Sequence, residues 1–341
     1  MSISQTTISR QVGVSRSAVS HVLNGRGHMV SKDTREKILK AVEAAGYYRN
    51  ALVHALKTNR THVVGIVVPD TLLSFFGEPI VAAEREASAR GMRCFLCQSH
   101  NFPEAVATEI AALREYRVDG VLVIPVISEA APDVYQLMIR QKFPFALMEV
   151  PVPGIAAPYV GSDGVAAGRL AADHLLALGH QHIACIRGYR GSLSAQDHFK
   201  GYCEAMRAPG FEPDDALIVG DGFEFEEGRK AVTLLLERRV DFTAIVAPSD
   251  FAAVGAVQQL ARNGLRVPAD VSVIGCGNLN IAAMANPPLT TVDQKPQELG
   301  RCAMELLIDV IENGTNASTK MIMKPKLAVR ESTTAVARGS R

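Results

Sequence analysis
The segment Ser15-Arg16-Ser17-Ala18-Val19-Ser20-His21-Val22-Leu23 carries hydroxyl, guanidinium and imidazole groups at spacings that put Arg16, Ser17, Ser20 and His21 on one face of a helix. Val19, Val22 and Leu23 turn to the other face. Small polar and basic side chains on an exposed helix face suit base edges and phosphate oxygens, and the N-terminal end of such a helix favours a nearby phosphate. That is what a helix needs in order to read the major groove. Other reactive residue types lack such company. Cys94-Phe95-Leu96-Cys97 has no second cysteine pair and lies in an apolar, strand-like run, so it reads as core rather than as a metal or redox site. His180 and His182 flank a helix-to-strand turn with no carboxylate or cysteine beside them. Gly275-Cys276-Gly277-Asn278-Leu279-Asn280 follows a strand, but Asn280 stands where a dinucleotide loop needs its third glycine, and no cofactor is expected. Asn313-Gly314-Thr315 and Asn316-Ala317-Ser318 have the form of glycosylation sequons but read as a turn. No nucleophile, base and orienting group assemble, so the chain is not read as an enzyme.

The elements around the polar helix are short. Ser4 caps a first helix containing Ile8 and Val12, Gly13 supplies the turn, Ser15 caps the second helix over Arg16 to Leu23, and Asn24-Gly25 ends it. Ser31, with Thr34 and Glu36 behind it, announces a third helix that is apolar at Ile38, Leu39, Val42 and Ala45 and stops at Gly46. Residues 1–60 hold ten Lys and Arg against three Asp and Glu, a net +7, so with +1 overall the other 281 residues carry −6. The basic end is the candidate polyanion binder.

At 341 residues, 48% hydrophobic and 21% charged, the chain has the length for several cores and the balance of an α/β protein. No apolar run reaches the roughly 18 residues of a membrane span and no signal sequence opens the chain, so the expected location is the cytoplasm, with reduced cysteines. From Val63 onward, apolar runs alternate with amphipathic helices. The runs are Val63–Val68, Cys94–Cys97, Gly120–Ile124, Pro144–Met148, Ile183–Ile186, Ala244–Val246 and Val271–Ile274; the helices are Ile80–Arg90, Ala105–Tyr116, Gly168–Leu178, His198–Arg207, Glu226–Arg239 and Phe251–Arg262. This rhythm means parallel sheets, and seven strands over this length suit two doubly wound sheets, with a ligand in the cleft outside the strands' carboxyl ends.

Gly13-Val14-Ser15-Arg16-Ser17-Ala18-Val19-Ser20-His21-Val22-Leu23-Asn24-Gly25, Val30-Ser31, Thr34-Arg35-Glu36-Lys37-Ile38 and Gly46-Tyr47 resemble the DNA-binding head of the LacI/GalR (lac repressor) family. The resemblance implies that Ser15, Arg16, Ser17, Ser20 and His21 approach the major groove and that Asn24 contacts the backbone; His21 stands where Arg is usual. Asn50-Ala51-Leu52-Val53-His54-Ala55-Leu56-Lys57 corresponds to the family's hinge helix, with Asn50 and Leu56 as DNA contacts and Leu56 as a wedge between base pairs in the minor groove. Packing of Leu56 on the rest of the protein is the alternative. Arg49, Val53 and His54 depart from the family's Pro, Ala and Arg in this segment.

Pro69-Asp70 with Phe75-Phe76, Val118-Asp119-Gly120, Leu178-Gly179-His180, Gly201-Tyr202, Val267-Pro268 with Asp270 to Gly275, and Pro287-Pro288-Leu289-Thr290-Thr291-Val292 extend the resemblance over almost the whole chain. It implies an α/β, periplasmic-binding-protein-like sensor of two doubly wound parallel-sheet subdomains, crossed near residues 160, 291 and 322. The expected organisation is a helix-turn-helix head over 1–48, a hinge helix and linker over 49–60, and a sensor over 61–341. Within the sensor, subdomain one covers about 61–160 plus 292–321 and subdomain two about 161–291 plus 322–341. It further implies a homodimer or higher oligomer, a near-palindromic operator, and a sugar or sugar-like effector that controls DNA affinity; a repressor is the expected role. Effector-contacting positions match Phe75, Phe76, Glu149, His198, Asp250, Asn278 and Gln294. One of the two Phe rings could equally be core, and Ser249 or Asp250 could equally cap the helix that Asp250 begins. His198 replaces a usual Arg, and Gly277-Asn278 a usual acidic pair, and the two changes disagree about the ligand's charge. His198 is expected to donate to the effector and to make affinity pH-sensitive between about 5 and 8.

Overall fold
The computed structural model describes residues 4–23, 26–47, 60–69, 75–125, 133–314 and 319–336. It divides into a head, Met1–Thr61, and a body, His62–Arg341.

In the head, α1 (Gln5–Val12), α2 (Arg16–Leu23) and α3 (Lys32–Ala44) form where local signals place them. Ser4 caps α1 in a reciprocal box with Thr7. Gly13 ends α1 in the left-handed region at φ 71°, where a side chain would be strained, and its N–H bonds Ser9 O. Ser15 Oγ accepts the Ala18 N–H at 3.1 Å, opening α2 two residues later. Ile8, Val19, Val22, Ile38 and Ala41 form the buried core, with Val12, Val14, Leu23, Val42 and Tyr47 packed around it. Leu39 does not join them: it is 44% exposed, because on α3 the core stripe falls on Ile38 and Ala41, three apart, and Leu39 lies a full 100° round from Ile38.

The body contains two six-stranded sheets. The first comprises β1 (Val63–Val68), β2 (Arg93–Gln98), β3 (Gly120–Val123), β4 (Phe145–Glu149), β5 (Tyr159–Ser162) and β11 (Lys320–Met323), in the order β11-β5-β4-β3-β1-β2, all parallel. The second comprises β6 (Ile183–Ile186), β7 (Ile218–Val219), β8 (Ala244–Val246), β9 (Ser272–Gly277), β10 (Thr290–Asp293) and β12 (Lys326–Ala328), in the order β12-β10-β9-β8-β6-β7, with only β12 antiparallel. Both faces of each sheet are covered, as alternate residues of single strands show: Val64, Ile66 and Val68 enter one core while Val67 enters another, and Ile245 enters one while Ala244 and Val246 enter its opposite. The chain leaves the first sheet after Ser162, returns after Asp293 and crosses again after Met323.

Strand β2 corrects the sequence reading. It is an edge strand: Phe95 is 45% and Leu96 47% exposed, while Cys94 and Cys97, half-buried, pack against the margins of two cores rather than at their centres. Burial, with Glu84 near Cys94 and Glu109 near Cys97, still pushes both thiols up to about 11. His180 is a buried structural node: Nδ1 pairs with Thr243 Oγ1 at 2.8 Å, and Nε2 lies 2.9 Å from the Thr334 carbonyl, which ties the carboxyl-terminal segment to the second sheet.

Helices α4 (Gly77–Ala89), α5 (Pro103–Glu115), α6 (Asp133–Arg140) and α12 (Pro296–Asn313) accompany the first sheet, and α7 (Gly164–Ala177), α8 (Leu193–Arg207), α9 (Phe225–Arg238), α10 (Asp250–Arg262) and the short α11 (Asn280–Met284) the second. Three helix pairs meet backbone to backbone through glycine. A Cβ on Gly168 of α7 would lie 1.9 Å from the His198 carbonyl oxygen of α8, and one on Gly201 of α8 would lie 2.0 Å from that of Val165. Gly228 and Gly255 make the same reciprocal approach between α9 and α10, and Gly300 of α12 sits against the Pro79 carbonyl of α4.

Candidate functional site
Two sites arise, one in each unit. In the head, Ser15, Arg16 and Ser17 are exposed and Ser20 and His21 half-buried, on the side of α2 opposite the buried Val19 and Val22. The core holds α2 by one stripe and leaves a short polar face with Arg16 at its amino-terminal end, where the helix dipole adds to the guanidinium's attraction for a phosphate. Asn24, Asn50 and Leu56, and the hinge helix with its departures, lie outside the described residues.

In the body a cavity of about 610 Å³ lies where the carboxyl ends of the two sheets face each other. Its first wall comes from residues just beyond strands of the first sheet: Pro69 after β1, Asn101 after β2, Ile124 and Pro125 after β3, and Glu149 and Val150 at the end of β4. Its second wall is made by Tyr189–Ser192 after β6, Asp221–Glu224 after β7 and Pro248-Ser249 after β8, with Ser194 and His198 on α8 and Gln294 beyond β10. Phe75 and Phe76, at the start of α4, pack edge to face at 5.8 Å and line the cavity while also touching the first core. Tyr189 and Phe223 make a second such pair at 5.6 Å.

Of the seven sequence-derived effector positions, the cavity brings together Phe75, Phe76, Glu149, His198 and Gln294. Asp250 and Asn278 stand behind its wall. Asp250 is fully buried; its Oδ2 accepts the Leu279 N–H at 2.7 Å and its Oδ1 accepts the Thr291 hydroxyl, so both oxygens already hold a donor from the protein. Burial raises its carboxyl to about 6 against the pull of these donors. The cap of α10 is Ser249, whose Oγ accepts the Ala252 N–H at 3.0 Å and donates to the Phe223 carbonyl. Asn278 Oδ1 is taken by the Arg330 guanidinium at 2.6 Å.

His198 and Glu149 are the chemically exposed pair. Both His198 nitrogens and Glu149 Oε2 are buried without a hydrogen-bond partner among the described residues. Burial lowers the His198 imidazolium to about 4 and raises the Glu149 carboxyl to about 7. The expectation that His198 titrates between pH 5 and 8 is therefore corrected: desolvation with no acid beside it keeps the ring neutral there, and Glu149 is the group that titrates near 7. Sequence reasoning missed Asn101, Tyr189, Arg190, Asp221, Phe223 and Glu224. Their signal was position alone, immediately after the strands ending at Gln98, Ile186 and Val219, where an open α/β sheet places ligands.

One link joins the subdomains beside the cavity. Glu78, in the first turn of α4, accepts the Asn280 N–H of α11 at 2.8 Å through Oε1, while its Oε2 accepts from Gln297 Nε2 at 2.5 Å.

A polar helix held by a three-helix core, and a cleft between two doubly wound sheets, define a helix-turn-helix regulator with an effector-binding domain. Residues 6–50 match the profile of bacterial regulatory proteins of the lacI family, and residues 172–333 that of the periplasmic binding protein-like domain. The chain is 32% identical over 327 residues, 96% of each chain, to the HTH-type transcriptional regulator DegA of Bacillus subtilis (strain 168). It is 31% identical over 329 residues, 95% of this chain and 97% of the relative, to the HTH-type transcriptional repressor PurR of Haemophilus influenzae (strain PittEE). A solved complex of the transcriptional regulator CelR with cellobiose matches 97% of this chain and 99% of its own, at 30% identity and TM-score 0.73. The lac repressor dimer bound to operator and the anti-inducer ONPF shares the fold at TM-score 0.86 and 24% identity, over 98% of this chain and 100% of its own. The protein belongs to the lacI family of bacterial regulatory proteins and is a DNA-binding transcriptional regulator.

Proposed function
We propose that the protein is a repressor that binds a near-palindromic operator as a homodimer and releases or tightens it in response to a carbohydrate-like effector held between the two subdomains. The observation that carries the effector assignment is the cavity itself: aromatic pairs on both walls, with buried, unpartnered polar atoms of His198 and Glu149 beside them. The likeness to a regulator crystallised with cellobiose supports a sugar. The assigned contacts are Phe75, Phe76, Glu149, His198 and Gln294 for the effector, and Ser15, Arg16, Ser17, Ser20, His21, Asn24, Asn50 and Leu56 for DNA. A second copy is favoured by the open edge strand β2, where exposed Phe95 and Leu96 lie beside Tyr116, its ring 6.1 Å from Phe95, because an uncovered apolar sheet edge invites association.

An effector changes DNA affinity only by binding the two subdomain arrangements unequally. Titration of the protein onto DNA from upstream of its own gene, at increasing salt, tests the DNA reading: affinity falls steeply because releasing phosphate-bound counterions into a saltier solution gains less entropy. Retention of no DNA at low salt refutes it. A thermal-shift screen of sugars, followed by DNA titration with any hit, tests the effector reading.

A further inference from the structure
At the inner end of the cavity lie polar atoms that no described residue satisfies. His198 is only 4% exposed, and both of its nitrogens are unpartnered among the described residues, as is Glu149 Oε2; both residues line the cavity. Buried donors and acceptors without partners are unfavourable, so the atoms around this end are matched to a molecule that brings its own. A neutral imidazole offers one N–H and one lone pair, and a carboxyl can likewise donate or accept according to its protonation. A hydroxyl, itself both donor and acceptor, complements either.

The ionisable lining sets the charge that can enter. Among the described lining residues, Glu149, Asp221 and Glu224 face one cation, Arg190, which is exposed at the mouth. The mouth carboxylates are engaged locally, Asp221 by the Arg190 N–H at 3.0 Å and Glu224 by the Tyr189 hydroxyl at 2.7 Å. Among the described residues Arg190 is the one lysine or arginine of the lining, none stands beside the buried His198, and burial lowers the His198 imidazolium to about 4. A phosphate or carboxylate carried there would lose its water, gain no counter-charge and meet Glu149.

We propose that the cavity selects an uncharged, polyhydroxylated ligand whose hydroxyls meet His198 and Glu149, and that it excludes the phosphorylated and acid forms of that ligand. The proposal rests on the reading of this cavity as the effector site and adds the ligand's charge, which the substitutions in the sequence left undecided. Stacking on the two aromatic pairs orients the apolar face of a sugar ring without regard to charge. Discrimination therefore falls to the inner end.

The test uses the full chain and a panel of hexoses and β-linked disaccharides, each alongside its phosphate and its aldonic or uronic acid, read by thermal shift and then by calorimetry. The expected result is binding of a neutral saccharide at least tenfold tighter than its phosphate or acid. His198→Arg, which puts a guanidinium at the inner end, narrows or reverses the preference over the acid. If that variant does not fold, His198→Gln, which keeps a donor and an acceptor without charge, weakens neutral-sugar binding yet leaves the acid disfavoured. Wild-type binding of a phosphate or acid as tight as that of the neutral sugar overturns the charge selection while leaving the effector site standing. No binding by any member of the panel overturns both.

Discussion

Replacing Gly168 by Ala tests whether the backbone contact between α7 and α8 positions the effector site. The added Cβ would sit 1.9 Å from the His198 carbonyl oxygen, where real Cβ contacts lie beyond 3.0 Å, so the helices must part by about 1 Å at that point. The obstacle is backbone, and no rotamer change relieves it. Overpacking of this kind costs about 1–3 kcal/mol, and the better helix propensity of Ala returns at most about 1 kcal/mol. The net loss is about 1–2 kcal/mol, which lowers Tm by about 2–6 °C in a unit this large. Because the displaced carbonyl belongs to His198 itself, effector affinity falls together with stability. Denaturant unfolding and calorimetric ligand titration of Gly168→Ala read both effects. Gly77→Ala, whose Cβ would meet nothing within 4 Å, is the control and leaves the midpoint within about 0.5 kcal/mol of wild type. A Gly168→Ala midpoint equal to or above that of wild type would refute the reasoning.

Arg16→Ala removes the exposed guanidinium from the start of α2 and weakens operator binding about tenfold, measured by fluorescence anisotropy, with the fold intact by circular dichroism; unchanged affinity counts against α2 as the reading helix. Glu149→Gln changes the pH dependence of stability. The wild-type carboxyl is raised by burial from 4.5 to about 7, so the folded state holds its proton longer than the unfolded chain, and stability declines as pH rises from about 4.5 through 7. The Gln variant lacks that decline and gains on wild type by about 2 kcal/mol between pH 5 and 7.5; parallel stability curves for the two proteins in urea would rule this out. Glu78→Ala breaks the Asn280 N–H to carboxylate bond that joins the subdomains. It shifts the effector concentration for half-maximal DNA response severalfold with no lining residue altered, and an unchanged midpoint removes Glu78 from the coupling.

What the sequence by itself determined is what short-range chemistry sets. Ser4, Gly13, Ser15 and Ser31 place the head's helices because a cap or a left-handed turn is decided within a few residues. Continuous apolar runs such as Val63–Val68 give the central strands because a parallel strand is buried on both faces. The short or polar strands β5, β7, β10, β11 and β12 left no such run; Thr290–Asp293 is a strand because β9 and β12 flank it, not because its residues demand one. Tertiary structure alone decided the state of the site. Asp250 and Asn278 stand near the cavity in sequence terms, but Thr291, Leu279 and Arg330, 29 to 52 residues away, donate to both Asp250 oxygens and to Asn278 Oδ1. His198 and Glu149 are ordinary titratable residues in the chain. Packing between two sheets takes them out of water and supplies no hydrogen-bond partner among the described residues to either His198 nitrogen or to Glu149 Oε2, which holds the imidazole neutral and raises the carboxyl to about 7.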